Sequence, residues 1–367
     1  MSAPRLEVDL GAIETNTSFL VEQLGLVGIR VTGVTKATLG SPHAGAAMLR
    51  GGATGLGDSR VENLERLEAG GVVAPRTLIR SPMLSQVDAV VRHASTSLNT
   101  DYSVLEALSR SAAHRGTTHA VVLMVELGDL REGVLPAELV PLARHVTGLA
   151  GLSLAGIGTN LACQNGVVPD DVNMQRLSAL AEDVEAAVGS ALAVVSGGNS
   201  ANLGWALNAT DTGRVDELRL GEAILLGLDP LTRSPIAGLR TDAVVLVAEL
   251  IEVRTKPRVP WGHLGQTAFG SRPPRQGGGT LRQGILALGR QDVDPDGLVP
   301  PDGVTILGTS SDHLVVDLGD HAAVAGDELA FGVGYGALLR AMTSPFVTVL
   351  EHSPLVDGSK ASALRLA

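Results

Sequence analysis

Lys36 is the residue whose type and position most directly indicate chemistry in this chain. The chain holds 28 lysines and arginines, and only three of them are lysines, so arginine is its usual cation. Lys36 closes the β-branched run 29–35, which is typical of a buried strand. An arginine keeps its proton, whereas a lysine can lose it, and the free amine attacks carbonyl groups to form Schiff bases. A lysine that only extends its stem at a strand end is the structural alternative.

A glycine-rich segment is the second feature that could do chemistry. The residues Ser196, Gly197, Gly198, Asn199 and Ser200 follow an apolar run and precede a helical stretch. Two glycines let the backbone approach a ligand closely, and the free N–H groups at a helix start attract anions. The pattern predicts a phosphate site, and an ordinary turn capped by serine or asparagine is the alternative.

Both features belong to a series of eight short apolar runs in the first two-thirds of the chain. The runs lie near residues 29–35, 54–57, 76–80, 94–98, 119–125, 152–158, 192–196 and 217–220. Most of them are separated by stretches with helical spacing, such as 103–114 and 171–188. Strands that alternate with helices imply right-handed βαβ units and a parallel sheet. Eight such units predict an α/β fold built on a closed (β/α)8 TIM barrel.

Polar residues follow directly after these runs, where active sites of barrel enzymes are built. They are Lys36, Asp58, Ser59, Arg60, Arg80, Ser81, Asn99, Glu126, Asp129, Arg131, Thr159, Asn160 and the segments 196–200 and 219–222. Phosphate groups in such barrels tend to bind after strands seven and eight, which here precede Asn199 and Gly221. The sequence therefore predicts a phosphate cradle across the barrel mouth from Lys36.

The pattern changes after about residue 235, where short strand-like runs and turns replace the alternation with helices. The runs lie at 241–253 and near 281–288, 304–307, 313–318, 327–333 and 346–350. We expect the (β/α)8 barrel over 10–234 and a smaller, mainly antiparallel β domain over 235–355, joined by a strand within 1–9. Residues 356–367 are expected to form a tail.

Composition excludes several classes of protein and site. A net charge of −11 without a basic run argues against a nucleic-acid surface. The single cysteine, Cys163, excludes an intrachain disulfide and a zinc site made of several thiolates, and we expect no metal. No signal-like or membrane-spanning segment is evident, so we expect a cytoplasmic protein without a membrane partner.

The motifs together resemble those of the alanine-racemase-like, fold-type III pyridoxal-phosphate enzymes, and most closely the ornithine racemase branch. The matching segments of the barrel are VTGVTK (31–36), GDSRVEN (57–63), MVELGDLREG (124–133), GIGTNLAC (156–163), SGGNSAN (196–202) and LRLGE (218–222). Those of the β domain are GRQDV (289–293), SSDHL (310–314), YGALL (335–339) and MTSP (342–345). The resemblance follows the chain order over nearly its whole length.

The resemblance implies a racemase that interconverts L- and D-amino acids by removing the α-proton through an aldimine of pyridoxal 5'-phosphate. Lys36 would carry the cofactor and act as one base. The other residues implied to bind the cofactor are Arg131, Asn160, Asn199, Ser200, Arg219, Gly221, Glu222 and Tyr335. Arg131 and Asp312 would contact the substrate. Arg219 would face the pyridine nitrogen, and this donor weakens the electron sink and favours racemization over transamination.

A second base on the face opposite Lys36 is less well defined. Alanine racemases use a tyrosine from a loop of the partner's β domain, and the corresponding stretch here, 260–270, holds no tyrosine. His263 is the first candidate because its ordinary pKa suits proton transfer at neutral pH. Cys163, Asp312 and His313 are further candidates, and a surface-loop histidine is the structural alternative.

The same stretch departs from the ornithine racemase pattern, which carries acidic residues where His263 and Thr267 stand. Two carboxylates would suit a substrate with a distal ammonium group. Their absence puts ornithine specificity in doubt, so the substrate need not be cationic.

Three other functions stay open, and the resemblance also implies an assembly. The first is a pyridoxal-phosphate homeostasis protein, which binds the cofactor without racemase turnover but is a lone barrel. The second is a related fold-type III aldolase or dehydratase, whose usual metal-binding His/Cys pairs in the C-terminal domain are not evident here. The third is a lysine Schiff-base aldolase without a cofactor, in which the phosphate cradle would have no purpose. The family architecture implies a homodimer, which is also the commonest oligomer.

Overall fold

The computed structural model describes residues 3–270 and 277–352, so the expected tail at 356–367 lies outside the described residues. The described residues divide into two compact units, one made of residues 11–241 and the other of residues 3–10, 242–270 and 277–352. The division puts the alternating strands and helices in the first unit. No helix among the described residues is both long and apolar enough to cross a membrane.

Sixteen strands are formed by the described residues. They are β1 (Arg5–Asp9), β2 (Arg30–Val34), β3 (Gly55–Asp58), β4 (Arg76–Leu78), β5 (Thr96–Asn99), β6 (His119–Met124), β7 (Leu152–Gly158), β8 (Val194–Gly198), β9 (Glu217–Leu220), β10 (Val244–Pro257), β11 (Thr280–Leu286), β12 (Leu298–Val299), β13 (Thr305–Thr309), β14 (Leu314–Asp317), β15 (Glu328–Val333) and β16 (Thr348–His352).

Ten α-helices accompany these strands over the same described ranges. They are α1 (Leu10–Gly25), α2 (Pro42–Arg50), α3 (Val61–Ala69), α4 (Val87–His93), α5 (Tyr102–His114), α6 (Pro136–Thr147), α7 (Asp171–Val188), α8 (Leu203–Ala206), α9 (Glu222–Leu226) and α10 (Tyr335–Thr343). Short 3-10 helices cover Lys36–Thr38, Leu84–Gln86, Ser200–Asn202 and Pro295–Gly297.

Strands β2 to β9 form a closed barrel in which every neighbouring pair is parallel. The pairing of β2 with β9, which places Thr32 beside Arg219, closes the ring. All eight apolar runs of the first two-thirds of the chain are strands of this barrel, so the predicted TIM barrel is confirmed. The closed barrel sets the carboxyl ends of all eight strands around one mouth.

Local sequence explains the helix boundaries between these strands. Helix α7 begins at a capping box, because the Asp170 carboxylate accepts the Asn173 N–H at 2.9 Å and the Asn173 side chain accepts the Asp170 N–H at 3.0 Å. It ends at Gly189, whose φ of 74° is the left-handed conformation that glycine adopts without strain. The helical spacing at 171–188 predicted this helix with the same bounds.

The apolar core of the barrel interior packs side chains from adjacent strands. Leu98, Val122 and Met124 are buried together, and Ile79 and Ala155 pack against them. The core is built from small branched side chains, because only 2% of the residues are aromatic. It fills the barrel as a packed core and leaves the mouth as the place where polar groups gather.

The second unit is a smaller, mainly antiparallel sheet domain, as predicted. Its strands follow the order β12-β15-β10-β11-β14-β13, and β1 adds to it by pairing with β10 and with β16. Only the pairing of β1 with β16 is parallel among the described strand pairs of this unit. The two-residue strand β12 and helix α10 were not predicted, because neither shows a periodic pattern long enough to identify.

Candidate active site

Lys36 lies directly beyond the carboxyl end of β2. Strand β2 ends at Val34, and Lys36 begins the 3-10 helix Lys36–Thr38. The preceding Thr35 is fully buried, and its hydroxyl donates to the Asp58 carboxylate at 2.8 Å. Lys36 itself is half-buried. The barrel therefore holds this lysine at the edge of the mouth with its backbone fixed.

Two carboxylates flank Lys36 from the neighbouring strands of the barrel. Strand β2 pairs with β3, which ends at Asp58, and with β9, which leads into Glu222. Both carboxylates interact electrostatically with Lys36. Burial is the main cause that raises the pKa of each above its ordinary value. Glu222 is also paired with Arg233, at 2.5 Å between Oε1 and Nη1.

Arg219 is a buried cation within β9, and only 4% of it is exposed. Its Nη1 donates to the Ser196 hydroxyl, and its Nη2 donates to the Thr159 carbonyl at 3.0 Å and lies 3.5 Å from Asn160 Oδ1. Burial lowers the pKa of this guanidinium, and Glu217 and Glu132 act in the opposite direction. The three acceptors fix the plane of the guanidinium inside the mouth.

Asn160 and Asn199 form a pair that continues from Arg219. Asn199 Nδ2 donates to Asn160 Oδ1 at 3.1 Å and to the Leu161 carbonyl at 2.9 Å. The Nδ2 of Asn160 is buried and has no hydrogen-bond acceptor among the residues that the structure describes. A buried amide donor in this condition is unusual in a folded protein, and it is open to an acceptor on a water or on a bound molecule.

The glycine-rich segment and the start of α9 meet beside these residues. The Ser200 hydroxyl accepts the Ala223 N–H at 3.2 Å, which joins the β8 loop to α9. Gly198 has a φ of 140°, and a Cβ there would lie 2.4 Å from Asn202 Oδ1. Only glycine fits this backbone. The predicted cradle residues Asn199, Ser200, Gly221 and Glu222 therefore lie on adjacent elements of one mouth.

The loops after β6 and β7 are joined by Asp129. Its fully buried carboxylate accepts the backbone N–H groups of Cys163, Gln164, Asn165 and Val167 at 2.7 to 3.2 Å. Burial alone would raise the pKa of Asp129, but these four donors outweigh it and lower the pKa. This carboxylate thus fixes the loop that carries Cys163.

Arg131 belongs to the loop after β6 and contacts Cys163 in the loop after β7. Its guanidinium donates to both carboxylate oxygens of Glu132 and to the Cys163 sulfur. Arg131 and Glu132 both act on Arg219 electrostatically, which places them near the same part of the mouth. The sequence did not predict that the Arg131 guanidinium, which was expected to contact the substrate, would be paired with the Glu132 carboxylate.

Three predicted site residues belong to the sheet unit. His263 lies on an exposed loop after β10, and Tyr335 is the first residue of α10. Asp312 lies in the turn before β14, where its carboxylate contacts His313 Nδ1 at 2.8 Å and where that contact is the main cause of its lowered pKa. The remaining predicted site residues lie in the barrel unit.

The roles of Asp58 and of the Glu222 side chain were missed from the sequence. Asp58 was recognised only as one of many rim residues, and Glu222 only through its backbone. A signal was available in the sequence. Asp58 follows the second predicted barrel strand and Glu222 follows the eighth, and in a closed barrel both of these strands neighbour the first strand, which precedes Lys36. Only the barrel closure puts both beside Lys36.

Comparison with known proteins identifies the family to which this chain is similar. A family model described as alanine racemase, N-terminal domain, matches residues 8–230. A lysine racemase of Thermotoga maritima is 36% identical over 95% of this chain and 98% of its own length. An ornithine racemase of Acetoanaerobium sticklandii is 34% identical over 94% of this chain and 98% of its own length.

Solved structures show the same fold at low sequence identity. The alanine racemase of Streptomyces lavendulae superposes with a TM-score of 0.74 and 19% identity, covering 96% of this chain and 98% of that one. The D-threonine aldolase of Filomicrobium marinum gives a TM-score of 0.72 and 17% identity, covering 93% of this chain and 88% of that one. Because the family model spans more than half of the chain and both sequence relatives match nearly all of it, the chain belongs to the alanine racemase N-terminal domain family.

Proposed function

We propose that this protein is a pyridoxal 5'-phosphate-dependent amino-acid racemase in which Lys36 holds the cofactor. The observation that carries the proposal is the barrel mouth, where a half-buried lysine shares one rim with a buried arginine and with the buried Asn160 Nδ2, which has no acceptor among the described residues. The family match and the relatives named lysine racemase and ornithine racemase support the same reaction.

The residues of the mouth suit the chemical groups of this cofactor. Lys36 would bind its aldehyde carbon. Asn199, Ser200 and the backbone N–H groups of Gly221 and Glu222 would hold its phosphate. Gly198 permits the backbone conformation of the β8 loop that carries Asn199 and Ser200, because a Cβ there would collide with Asn202. The Asn160 Nδ2, which lacks an acceptor among the described residues, would donate to a bound oxygen. Tyr335 from the sheet unit is a further proposed phosphate contact.

Pyridoxal phosphate, when bound, supplies an electron sink that makes the α-hydrogen of an amino acid removable. Arg219 would donate to the ring nitrogen, and its buried guanidinium keeps a donor there because arginine does not lose its proton. Lys36 would take or return the proton on one face of the α-carbon. Arg131 would contact the substrate carboxylate. The Arg131 guanidinium is paired with Glu132 in this structure, so the substrate carboxylate would compete with the Glu132 carboxylate for it.

His263 is the proposed base for the other face. It is exposed in the sheet unit, so its imidazole is accessible to water in the isolated chain. We expect His263→Gln to lower kcat for racemization by about 10²–10⁴ while cofactor binding is retained, because general acid–base groups contribute on that order. Cys163→Ser, Asp312→Asn and His313→Gln are the matched variants for the other candidates. A kcat of His263→Gln within twofold of wild type would reject His263.

The substrate class is proposed from two features. Relatives named for lysine and ornithine make basic amino acids the first substrates to test. The 263 and 267 positions carry no carboxylate here, and exposed ion pairs contribute only about 0–1 kcal/mol. We therefore expect kcat/KM for ornithine and for neutral amino acids to lie within about tenfold, and a hundredfold preference for ornithine would contradict this selectivity.

Exchange of the α-hydrogen in deuterated water tests the reaction itself. A racemase incorporates deuterium into its substrate and produces both enantiomers, whereas a cofactor-homeostasis protein binds the cofactor without exchange. Chiral chromatography and mass spectrometry of L-amino acids incubated with wild type and with Lys36→Ala give the answer. A Lys36→Ala variant with full exchange would overturn the assignment.

Assembly and compartment are the remaining parts of the proposal. We propose a homodimer, because the family architecture implies one and symmetric dimers are the commonest oligomers. We also propose a cytoplasmic protein, since a chain with a single cysteine has no intrachain disulfide to gain from an oxidising compartment.

A further inference from the structure

The carboxylate of Asp58 is the buried acidic group with the most contacts to the Lys36 segment. It has no exposed surface, and it accepts three hydrogen bonds. The Thr35 hydroxyl donates at 2.8 Å, the Arg60 N–H at 3.0 Å and Asn63 Nδ2 at 3.0 Å. The donors come from both sides, since Thr35 precedes Lys36 and the other two lie at the start of α3.

The far end of the Lys36 segment is attached to the same helix. Gly40 has a φ of +67°, and a Cβ there would lie 2.6 Å from the Asn63 carbonyl oxygen. Arg66 Nη1 donates to the Leu39 carbonyl at 2.5 Å. The segment 35–40 is therefore held to α3 at its end by backbone contact and at its start through Asp58. Lys36 lies between these two attachments.

The Asp58 carboxylate also interacts electrostatically with Lys36. All three donors to the carboxylate are neutral groups, so these bonds favour its ionised form without cancelling its charge. Glu222 interacts with Lys36 as well, but it is paired with Arg233 and also interacts with Asp229. None of the three hydrogen bonds to Asp58 comes from an arginine side chain.

We propose that Asp58 is a positioning residue for Lys36, which clamps the segment 35–40 through Thr35 and Asn63. The proposal rests on the proposed function, because it concerns the same lysine. The clamp fixes the backbone on both sides of Lys36, so that the lysine side chain starts from one position at the edge of the mouth.

The test is the rate at which Lys36 forms a borohydride-stable adduct with pyridoxal phosphate. Reduction after a series of incubation times, followed by peptide mass mapping, measures this rate. Asp58→Asn replaces one accepting oxygen by an amide N–H group at nearly constant volume, so it opposes at least one of the three donors. We expect this variant to form the adduct about fivefold or more slowly than wild type, because a misplaced amine reacts more slowly.

A second variant and a second measurement support the first. Asn63→Ala removes one clamp bond without introducing a new donor, and it should also slow adduct formation by about fivefold or more. Hydrogen exchange of residues 35–40 in the cofactor-free protein should be about fivefold or more faster in both variants, because the attachment of this segment to α3 is weakened. Asp216→Asn is the control, because Asp216 pairs with Arg30 at the amino ends of β9 and β2, away from the mouth.

The outcomes of this experiment are distinct. An Asp58→Asn variant with the adduct rate and the hydrogen exchange of wild type and of Asp216→Asn would overturn the clamp. An Asn63→Ala variant that forms the adduct at the wild-type rate would overturn it as well. If wild-type protein forms no borohydride-stable adduct at Lys36, the proposed function fails instead, and the hydrogen-exchange data still report on the clamp.

Discussion

At the residue scale, the barrel mouth combines groups whose ordinary behaviour the fold changes. Lys36 interacts with two carboxylates, and Arg219 is buried with donors of both terminal nitrogens directed at Ser196, Thr159 and Asn160, which leaves further N–H groups for a ligand. Lys36 and Arg219 could be predicted because each adjoins a recognisable strand. The role of Asp58 could not, because its bonds to Thr35 and Asn63 exist only after β2 and β3 pair and α3 packs beside them.

Replacing Arg219 by lysine tests whether the mouth depends on a guanidinium. A single ammonium cannot reach all three acceptors, so we expect the free energy of unfolding to fall by about 2 kcal/mol. Denaturant titration of the cofactor-free protein measures this, and cofactor titration should show weaker binding. Arg214→Lys is the control, since Arg214 forms a partly exposed pair with Glu185 and should lose less than about 1 kcal/mol. Equal losses in both variants would contradict the account.

His119 should make the protein sensitive to acid. It is 1% exposed on β6, its Nε2 lies 2.8 Å from the Ser97 hydroxyl, and burial lowers its pKa from 6.5 to about 4. Between these values the unfolded chain takes up a proton that the folded protein does not. Stability from the neutral ring is therefore present above pH 6.5 and is lost as the pH falls toward 4, by about 3 kcal/mol in all.

Denaturant titrations at pH 7 and pH 4 check this expectation. His119→Gln keeps a polar side chain beside Ser97 but does not titrate, so its loss of stability on acidification should be smaller than that of wild type. The exposed His114→Gln variant should follow wild type. A His119→Gln variant with the full wild-type loss would show that other groups cause the acid sensitivity.

At the element scale, the sequence predicts where the strands lie better than it predicts which loops are hydrogen-bonded to each other. The eight barrel strands were predictable because each is an apolar run between helical stretches. Strand β12 was not, since its two residues show no alternation. The junction between the loops after β6 and β7 was also hidden, because Asp129 and the segment 163–167 are separated by more than thirty residues.

Asp129→Asn should loosen that junction. An amide accepts fewer hydrogen bonds than a carboxylate and presents its own N–H groups to the four backbone donors. We expect hydrogen exchange of residues 163–167 to be about tenfold faster, because the charge-assisted bonds that protect them are lost. Asp101→Asn, which alters the exposed carboxylate that caps α5, should leave this segment unchanged. Unaltered exchange in Asp129→Asn would contradict the role of Asp129.

At the scale of the whole molecule, the chain is a barrel unit and a sheet unit, each with its own core. The change in pattern near residue 235 made two regions predictable. Assembly was not predictable from residues alone, because an interface depends on surfaces that only the folded chain presents. The apolar side chains Val259, Trp261, Leu264 and Phe269 are exposed on the loop that also carries His263, and such a patch often marks an interaction site.

The proposed homodimer is checked by light scattering coupled to size-exclusion chromatography. Two chains of 37.7 kDa should give about 75 kDa. Substituting Trp261, which is 80% exposed, by aspartate should shift the mass toward the monomer if this loop contributes to the interface. A wild-type monomer at micromolar concentration would reject the dimer.

The covalent bond between cofactor and Lys36 is the most direct test of the central claim. The chain offers only three lysines, at positions 36, 256 and 360, so peptide mapping can assign the adduct without ambiguity. Protein incubated with pyridoxal phosphate should absorb near about 420 nm, lose this band on borohydride reduction and carry the added mass on Lys36 alone. Lys36→Ala should show none of these changes. Mass on Lys256 or Lys360, or no reducible band in the wild type, would contradict the account.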